Sequence, residues 1–481
     1  MLKRTKIVAT LGPASEDLET IKAMIKNGVN VFRLNFSHGS HEYHAANLAR
    51  VREASKTLGV RVGILQDISG PKIRTLALSE PFELKMGDRL DFLTEPIIGE
   101  QIAPQHYKIS INHPEILSML KVGDLIYLYD GSIAVKVTQI SENLVKTIVQ
   151  NDGFLNSNKG VNFPNTKINI DVITQKDKKD LLWGIENEVD FLAISFVQNA
   201  HDIDEVRKIL AQNNAEIAIF AKIEKFDAVE NIDEIINSSD GIMVARGDLG
   251  IEVPYYKVPN IQKEIIRKAN SASKPVITAT QMLFSLAKTK NATRAEISDV
   301  ANAVLDGTDA VMLSEESAVG IDPANAVKVM SQTIIETEKS YKFNKFNKFM
   351  LCNDTDKIMN STGVLAYDLG AEAIFALTSS GLSAIKMSRY RPSVPIIAVT
   401  HNERVLNMLC IVWGIEPAVQ IPKADALLNL ISAAVKRSVE MEILDKEKTY
   451  VLTAGFPTGV KGTSNLVNVL KKEQIEYYLS V

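Results

Sequence analysis

Cysteine is nearly absent from this 481-residue sequence. The two that occur, Cys352 and Cys410, stand in no metal-ligand spacing, which excludes a disulfide framework and a thiolate zinc site and fits a reducing compartment. Long apolar runs are missing too: no stretch approaches the roughly eighteen residues of a membrane span. The basic start, MLKRTKIVATLG, holds an apolar run too short for a signal peptide. Neither sign of charge dominates, with a formal net charge of -4, which speaks against a nucleic-acid or membrane binder while leaving room for local basic pockets. Internal repeats and low-complexity tracts are absent. The expectation is a cytoplasmic protein.

What is present is a long chain of ordinary composition, 46% hydrophobic and 23% charged, long enough for two or three domains. Short apolar runs alternate with amphipathic stretches: KIVATLG (6–12), VNVFRLNFS (29–37), VGILQDIS (62–69), DFLAISFV (190–197), EIAIFAKIE (216–224), GIMVARGD (241–248), PVITATQ (275–281) and AVMLSEE (310–316). In SEDLETIKAMIKNG the spacing predicts a helix with Ser15 as N-cap, Leu18, Ile21, Met24 and Ile25 on one face and Gly28 at the C-cap. Eight strands alternating with helices predict an α/β fold built on a TIM (β/α)8 barrel. Between Gly70 and about Ile170 the helical rhythm stops, and pieces such as FELKMGDRLDF and IAVKVTQIS predict a β-rich insertion after the third strand. After about Tyr341, AIFALT, PIIAVT, IEPAVQI and YVLTAG supply enough strands for an open α/β sheet but not for a second barrel. The predicted domains are the barrel at 1–70 and 171–342, a β-barrel-like lid at 71–170 and a C-terminal α/β domain at 343–481.

Active sites of such barrels form at the C-terminal ends of the strands. Those ends carry Arg33 to His38, Asp67, Lys222 and Glu224, Arg246 to Asp248, Thr280 and Gln281, and Ser314 and Glu316. Arg33, Arg74, Lys159 and Lys222 form an excess of cations suited to phosphate or carboxylate. Glu224 and Asp248 come from adjacent strands with no histidine or cysteine beside them, and hard oxygen donors favour Mg2+ or Mn2+ over zinc. With no Ser-His-Asp arrangement apparent, cations plus metal point to phosphoryl transfer by charge stabilisation. His38, His41 and His44 recur every three residues, a spacing that turns each ring about 60° from the last on a helix, so they do not converge on a metal. His41 and His44 read as a solvated helix start. The glycines of ARGDLG match neither a Walker A loop nor a dinucleotide fingerprint.

Taken together, FRLNFSHG (32–39), GPKIRT (70–75), KGVNFP (159–164), KIE (222–224), DGIMVARGDLGIEVP (240–254), ATQML (279–283), TRAEISDVANAVLDGTDAVMLS (293–314) and SRYRP (388–392) resemble pyruvate kinase over nearly the whole chain, in a bacterial type without an N-terminal extension or an extra C-terminal domain. The resemblance implies phosphoryl transfer between phosphoenolpyruvate and ADP, giving pyruvate and ATP, by a homotetramer. It implies that Arg33 contacts the transferring phosphoryl group and that Lys222 stabilises the transition state. Glu224 and Asp248 would hold the divalent metal, while the amides of Gly247 and Asp248 and the Thr280 hydroxyl would hold the substrate carboxylate. Arg74, Lys159 and His38 would serve the nucleotide phosphates. Asn35, Ser37, Asp67 and the Ile68 carbonyl match the monovalent-cation site. Lys72 stands where potassium-requiring members usually have Glu, and Lys225 where many have Asn. A Lys72 ammonium reaching Asp67 is expected to replace potassium and make the ion dispensable. A phosphorylated effector is expected at Thr378, Ser379, Ser380, Gly381 and Ser383, with Lys461 on a second glycine-rich loop. Ile68-Ser69 and Ala292 are further departures from the family's pattern. A related barrel aldolase or carboxylase, or a silent metabolite sensor, would lack the lid, the Arg33/Lys222 pair or a metal ligand.

Overall fold

The computed structural model describes residues 3–164, 166–168, 170–424, 426–458 and 464–481. Eight parallel strands close into a barrel: Lys6–Thr10, Val31–Asn35, Gly63–Ile68, Phe191–Ile194, Ala218–Ile223, Gly241–Ala245, Val276–Ala279 and Ala310–Leu313. Closure pairs Lys6 with Ala310. Side chains alternate along each strand. Ile7 and Ala9 join the cluster shared with the surrounding helices, whereas Val8, Val31, Leu65, Phe220 and Met243 fill the barrel interior. With both faces covered, the strands read as continuous apolar runs in the sequence.

The first helix corrects one expectation. It spans Leu18–Lys26, and its N-cap is Asp17, whose side chain accepts from the amides of Glu19 and Thr20. Ser15 is fully buried and accepts from the Gly12 amide at 3.2 Å, so its hydroxyl is already used by the preceding turn. Asn27 is the C-cap, and Gly28 follows with φ 114°.

The insertion leaves the barrel after the third strand and returns before the helix Gln175–Glu186. It contains a seven-stranded sheet and a separate two-stranded ribbon of Phe82–Leu84 with Gly153–Leu155. Its own apolar cluster includes Phe82, Phe92, Ile126, Val135 and Phe163, so it packs without borrowing from the barrel core. An antiparallel bridge between Arg74 and Gly160 joins its outgoing and returning segments.

The C-terminal part is a five-stranded sheet in which four parallel strands are completed by an antiparallel one, Ser464–Leu470. That last strand was not among those named from sequence. This part sits against the barrel floor: Ile411 and Val412 belong to the same apolar cluster as the barrel interior. Arg391, 2% exposed, fastens the two by donating to Asp309 at 3.0 Å and to the Gly307 carbonyl at 2.7 Å.

Candidate active site

The alternation that fills the barrel with apolar side chains continues for one more step at its C-terminal mouth, where the inward positions become polar. Arg33, Asp67 and Lys222 are two residues beyond the interior Val31, Leu65 and Phe220. Arg33 Nε donates to Asp67 Oδ2 at 2.7 Å, and its NH1 donates to Thr10 Oγ1 at 3.0 Å. Lys222 Nζ meets Asp67 Oδ1 at 3.1 Å, Ser195 Oγ at 2.6 Å and Glu224 Oε1 at 2.9 Å. Arg33 and Lys222 are each 9% exposed and both acids nearly inaccessible. Burial works against the Asp67 anion, but Lys222 and Arg33 outweigh it and hold the carboxyl below its usual range. Burial likewise opposes the Lys222 charge, and Asp67 and Glu224 overcome it, pushing the ammonium well above its usual value. Glu224 is shifted upward by burial and by Asp248, against the pull of Lys222. Two neighbouring acids, one held back from ionising, are a site that a cation would relieve.

Asp248 and Gly247 open the short helix Arg246–Glu252 directly after the sixth strand. Gly247 N donates to Thr280 Oγ1 at 2.7 Å, and that hydroxyl donates to the Ala279 carbonyl at 2.6 Å. Of the expected carboxylate donors, the Gly247 amide is therefore spent on Thr280 and the Thr280 hydroxyl on the Ala279 carbonyl here. Thr280 has φ 69°, Gln281 φ 54° and Phe196 φ 58°, a left-handed backbone that side chains adopt rarely and at a cost of about 1–3 kcal/mol each. At the mouth these turns are held in place: Arg246 NH2 pins the Thr280 carbonyl at 2.8 Å and the Phe196 amide donates to Glu224 Oε2 at 2.7 Å.

The other expected site residues are less tightly engaged. Lys159 Nζ lies 4.3 Å from the Tyr129 ring centre, within the lid. Arg74 NH1 donates to the Asn158 carbonyl at 3.2 Å. His38 is exposed, and its carbonyl accepts from His44 Nε2 at 2.9 Å. His44 corrects the solvated reading, being 4% exposed and stacked on Phe36 at 4.1 Å, while His41 keeps a 40% exposed side chain whose Nε2 meets Asp180 at 2.7 Å. Phe36 ends the second strand and offers an apolar face that the helix start covers. Among the described residues no group of three or more His, Cys, Asp or Glu side chains could hold a metal.

In the monovalent set, Asn35 is the register partner of Asp67, Asn35 Oδ1 accepts from the Ser37 amide at 3.1 Å, and the Ile68 carbonyl accepts from Ser195 Oγ at 2.7 Å. The expected reach of Lys72 to Asp67 is not found. Asp67 already faces Arg33 and Lys222, whereas Lys72 is exposed and lines the lid–barrel cleft with Asp130, Lys225, Asp248 and Glu252. The Gly-Pro turn that separates the two residues carries the Lys72 side chain off the barrel axis.

Sequence reading missed Ser195 and Thr10, although both end barrel strands and fall on the inward row. Each was absorbed into an apolar run. It also passed over Glu252, 5% exposed and bonded to Asn162 of the lid at 3.1 Å.

In the C-terminal part, Thr378, Ser379, Ser380 and Ser383 line a cavity of about 140 Å³ with His401, Lys423 and Ser464. Gly381, at φ 85°, donates its amide to Thr378 Oγ1 at 2.9 Å, and the Ser383 and Ser464 hydroxyls bond each other. Lys461 lies outside the described residues.

Comparison with known proteins follows the same division. Residues 2–327 match the family model "Pyruvate kinase, barrel domain", and residues 356–470 match "Pyruvate kinase, alpha/beta domain". A pyruvate kinase of Geobacillus stearothermophilus is 43% identical over 98% of this chain and 80% of its own length. One of Staphylococcus epidermidis is 42% identical over 97% and 80% respectively. A solved pyruvate kinase structure from Cryptosporidium parvum, 35% identical, superposes with a TM-score of 0.91 over 98% of this chain and 96% of the other.

Proposed function

The chain belongs to the pyruvate kinase family, and on that premise we propose how its own residues carry phosphoryl transfer from phosphoenolpyruvate to ADP in glycolysis. The observation that carries the assignment is Lys222, buried at the end of the fifth strand with Asp67, Ser195 and Glu224 around its ammonium. A charge fixed in a dry site before the reaction stabilises a loose transition state without reorganising. Lys222 and Arg33 face the transferring phosphoryl group, with Asp67 orienting both cations. Glu224 and Asp248 fit a Mg2+ or Mn2+ ion: both offer carboxylate oxygens, and each Glu224 oxygen keeps a lone pair beside its contact with Lys222 or the Phe196 amide. A bound ion would supply positive charge toward the anionic substrate oxygens.

The Thr280 hydroxyl turns from the Ala279 carbonyl to the substrate carboxylate, which frees the Gly247 amide to join it and Asp248 N. The same hydroxyl helps deliver the proton to the enolate carbon through a water. Lys159 leaves the Tyr129 face, at a cost of about 0.5–1 kcal/mol for an exposed cation–π contact, and meets the nucleotide phosphates with Arg74 and His38. Lid closure excludes water from this step. The division of labour is barrel at 1–70 and 171–342, lid at 71–170 and regulatory domain at 343–481. Asn35, Ser37, Asp67 and Ile68 form the monovalent subsite, and potassium is dispensable because Lys72 and Lys225 add fixed positive charge at the mouth.

The cavity at Thr378–Ser383 takes a phosphorylated effector, the hydroxyls of Thr378, Ser379 and Ser380 offering donors, and the active form is a cytoplasmic homotetramer. No helix among the described residues is long and apolar enough to cross a membrane. A lactate-dehydrogenase-coupled assay with phosphoenolpyruvate, ADP and magnesium tests the site: turnover should vanish in Asp248→Asn, and retained turnover there would overturn the metal assignment. Screening phosphorylated metabolites at sub-saturating phosphoenolpyruvate tests the cavity. A response untouched by Ser383→Asp, or none, would refute the effector reading.

A further inference from the structure

Beside an ion pair of Lys167 with Glu230 at 3.3 Å, the lid meets the mouth of the barrel at one short helix, Arg246–Glu252. Asn162, in the lid strand Val161–Asn162, donates its side-chain amide to Glu252 Oε1 at 3.1 Å. The other Glu252 oxygen is buried and has no partner. The lid turn at Tyr129–Gly131 presses on the same helix end, because a Cβ placed on Gly131 would lie 3.6 Å from Ile251 Cγ2. Tyr129 of that turn carries Lys159 on its ring, and Lys159 stands three residues before Asn162 on the same lid segment.

One end of the helix thus holds the lid, and the other holds Gly247 and Asp248. Just over one turn of helix, about 6 Å, separates Asp248 from Glu252. So short a rigid piece passes a displacement at one end to the other. The contact is made for release as well: Asn162 is a neutral donor on a two-residue strand, and the cleft beside it, about 40 Å³, is lined by Lys72, Asp130, Lys225, Asp248 and Glu252.

We propose that Glu252 is a positioning residue that latches the lid through Asn162, so that engagement of Asp248 at one end of the helix sets the placement of Lys159 at the other. This rests on the roles given above to Asp248 and Lys159. It predicts that damage to the latch falls on the nucleotide half of the reaction.

Asn162→Asp sets a carboxylate against Glu252 and should lower kcat about tenfold and raise the KM for ADP about fivefold, with the KM for phosphoenolpyruvate within about twofold. Glu252→Gln can still accept from Asn162 and should remain within about threefold of the unmodified enzyme. In the double variant the new glutamine amide donates to the new carboxylate, and activity should return to within about threefold of Glu252→Gln. A merely structural contact would change the melting temperature without this split or rescue. Asn162→Ala, which adds no charge, reads the same KM split if Asn162→Asp does not fold. A double variant no better than Asn162→Asp, or Asn162→Asp and Asn162→Ala with an unchanged KM for ADP, overturns the latch. Asp248→Asn run alongside separates the two ideas: a dead Asp248→Asn enzyme with an indifferent Asn162 overturns the latch alone, and an active one overturns the assignment beneath it and the latch together.

Discussion

The two ends of the barrel both bury charge, and they do so in opposite ways. At the floor, Asp309 accepts from Arg391, from the Val276 amide at 3.0 Å and from the Trp413 amide at 3.2 Å. Lys6 donates to the Ile415 carbonyl at 2.7 Å. These groups are tied to backbone of the neighbouring part, and little is left over to bind anything. At the mouth, Arg33, Asp67, Lys222 and Glu224 are held chiefly by one another, and Asp248 adds to an excess of negative charge that raises the Glu224 carboxyl. The floor is balanced and joins domains. The mouth is unbalanced in charge, which is the condition of a site completed by its ligands.

Substitutions at the two ends should therefore separate stability from turnover. Arg391→Leu leaves Asp309, 3% exposed, without its cation. The expected loss is roughly 3–5 kcal/mol of stability, read by denaturant unfolding, with turnover per folded molecule nearly unchanged. A loss below about 1 kcal/mol would mean that the backbone amides suffice for Asp309. Lys222→Met should do the reverse. Removing the charge aimed at the transition state costs roughly 3–4 kcal/mol, or 10²–10³ in turnover, while phosphoenolpyruvate binding changes far less. More than about a third of turnover retained would sink the assignment, since that is under 1 kcal/mol.

The same contrast explains what could be read from sequence. The mouth was legible because its polar residues interrupt apolar strands, and a run such as ILQDISGPKIRT marks the strand end by itself. The lid was legible as lost helical periodicity. What escaped depended on packing between segments distant in sequence. Ser195 lay within an apolar run, and only its position 2.6 Å from Lys222 gives it a role. Ser15 was a sound N-cap by residue type, but Gly12 had already claimed its hydroxyl. His44 looked solvated because nothing in its own helix shows that Phe36 stacks on it. The destination of Lys72 was misjudged for the same reason: sequence gave its distance along the chain from Asp67 but not the direction of the turn between them.

A smaller effect tests the floor from the other side. Asp190 begins the fourth strand, accepts from the Ile64 amide at 2.8 Å and is 8% exposed. Burial raises its carboxyl from 3.8 to about 6, with the Ile64 amide and Asn407 only partly opposing the shift. Below pH 4 the group is protonated whether folded or not. As pH rises from 4 to 6 the unfolded chain loses the proton first, so this group's contribution to stability declines and is gone above pH 6. Asp190→Asn keeps an acceptor for Ile64 and removes the penalty. It should stabilise the protein at pH 7.5 by up to about 3 kcal/mol, with the gain fading toward pH 4. Equal stability of the two proteins at pH 7.5 would show that Asp190 is effectively solvated through the cleft of about 820 Å³ that it lines.

The smallest effect concerns the charge of the mouth itself. Potassium-requiring relatives are expected to carry Glu at the position of Lys72 and often Asn at that of Lys225. Here both are lysines. Lys225 is 6% exposed with Asp227 3.8 Å away, and Lys72 lines the cleft beside Asp248 and Glu252. Neither occupies the place of an ion at Asp67, so on the reading proposed above the two lysines would act through the field of the whole mouth and not as an ion at that site. Adding potassium to ion-free enzyme should then change turnover by less than about threefold, under 1 kcal/mol. Lys72→Glu reverses one of the two charges and should make turnover depend on potassium. Should the unmodified enzyme be nearly silent without the ion and rise more than about tenfold with it, or Lys72→Glu stay indifferent to potassium, then fixed charge at the lid cleft does not reach the transferring phosphoryl group. The balance at the mouth would then be set at Asn35, Ser37 and Asp67, by an ion drawn from solution.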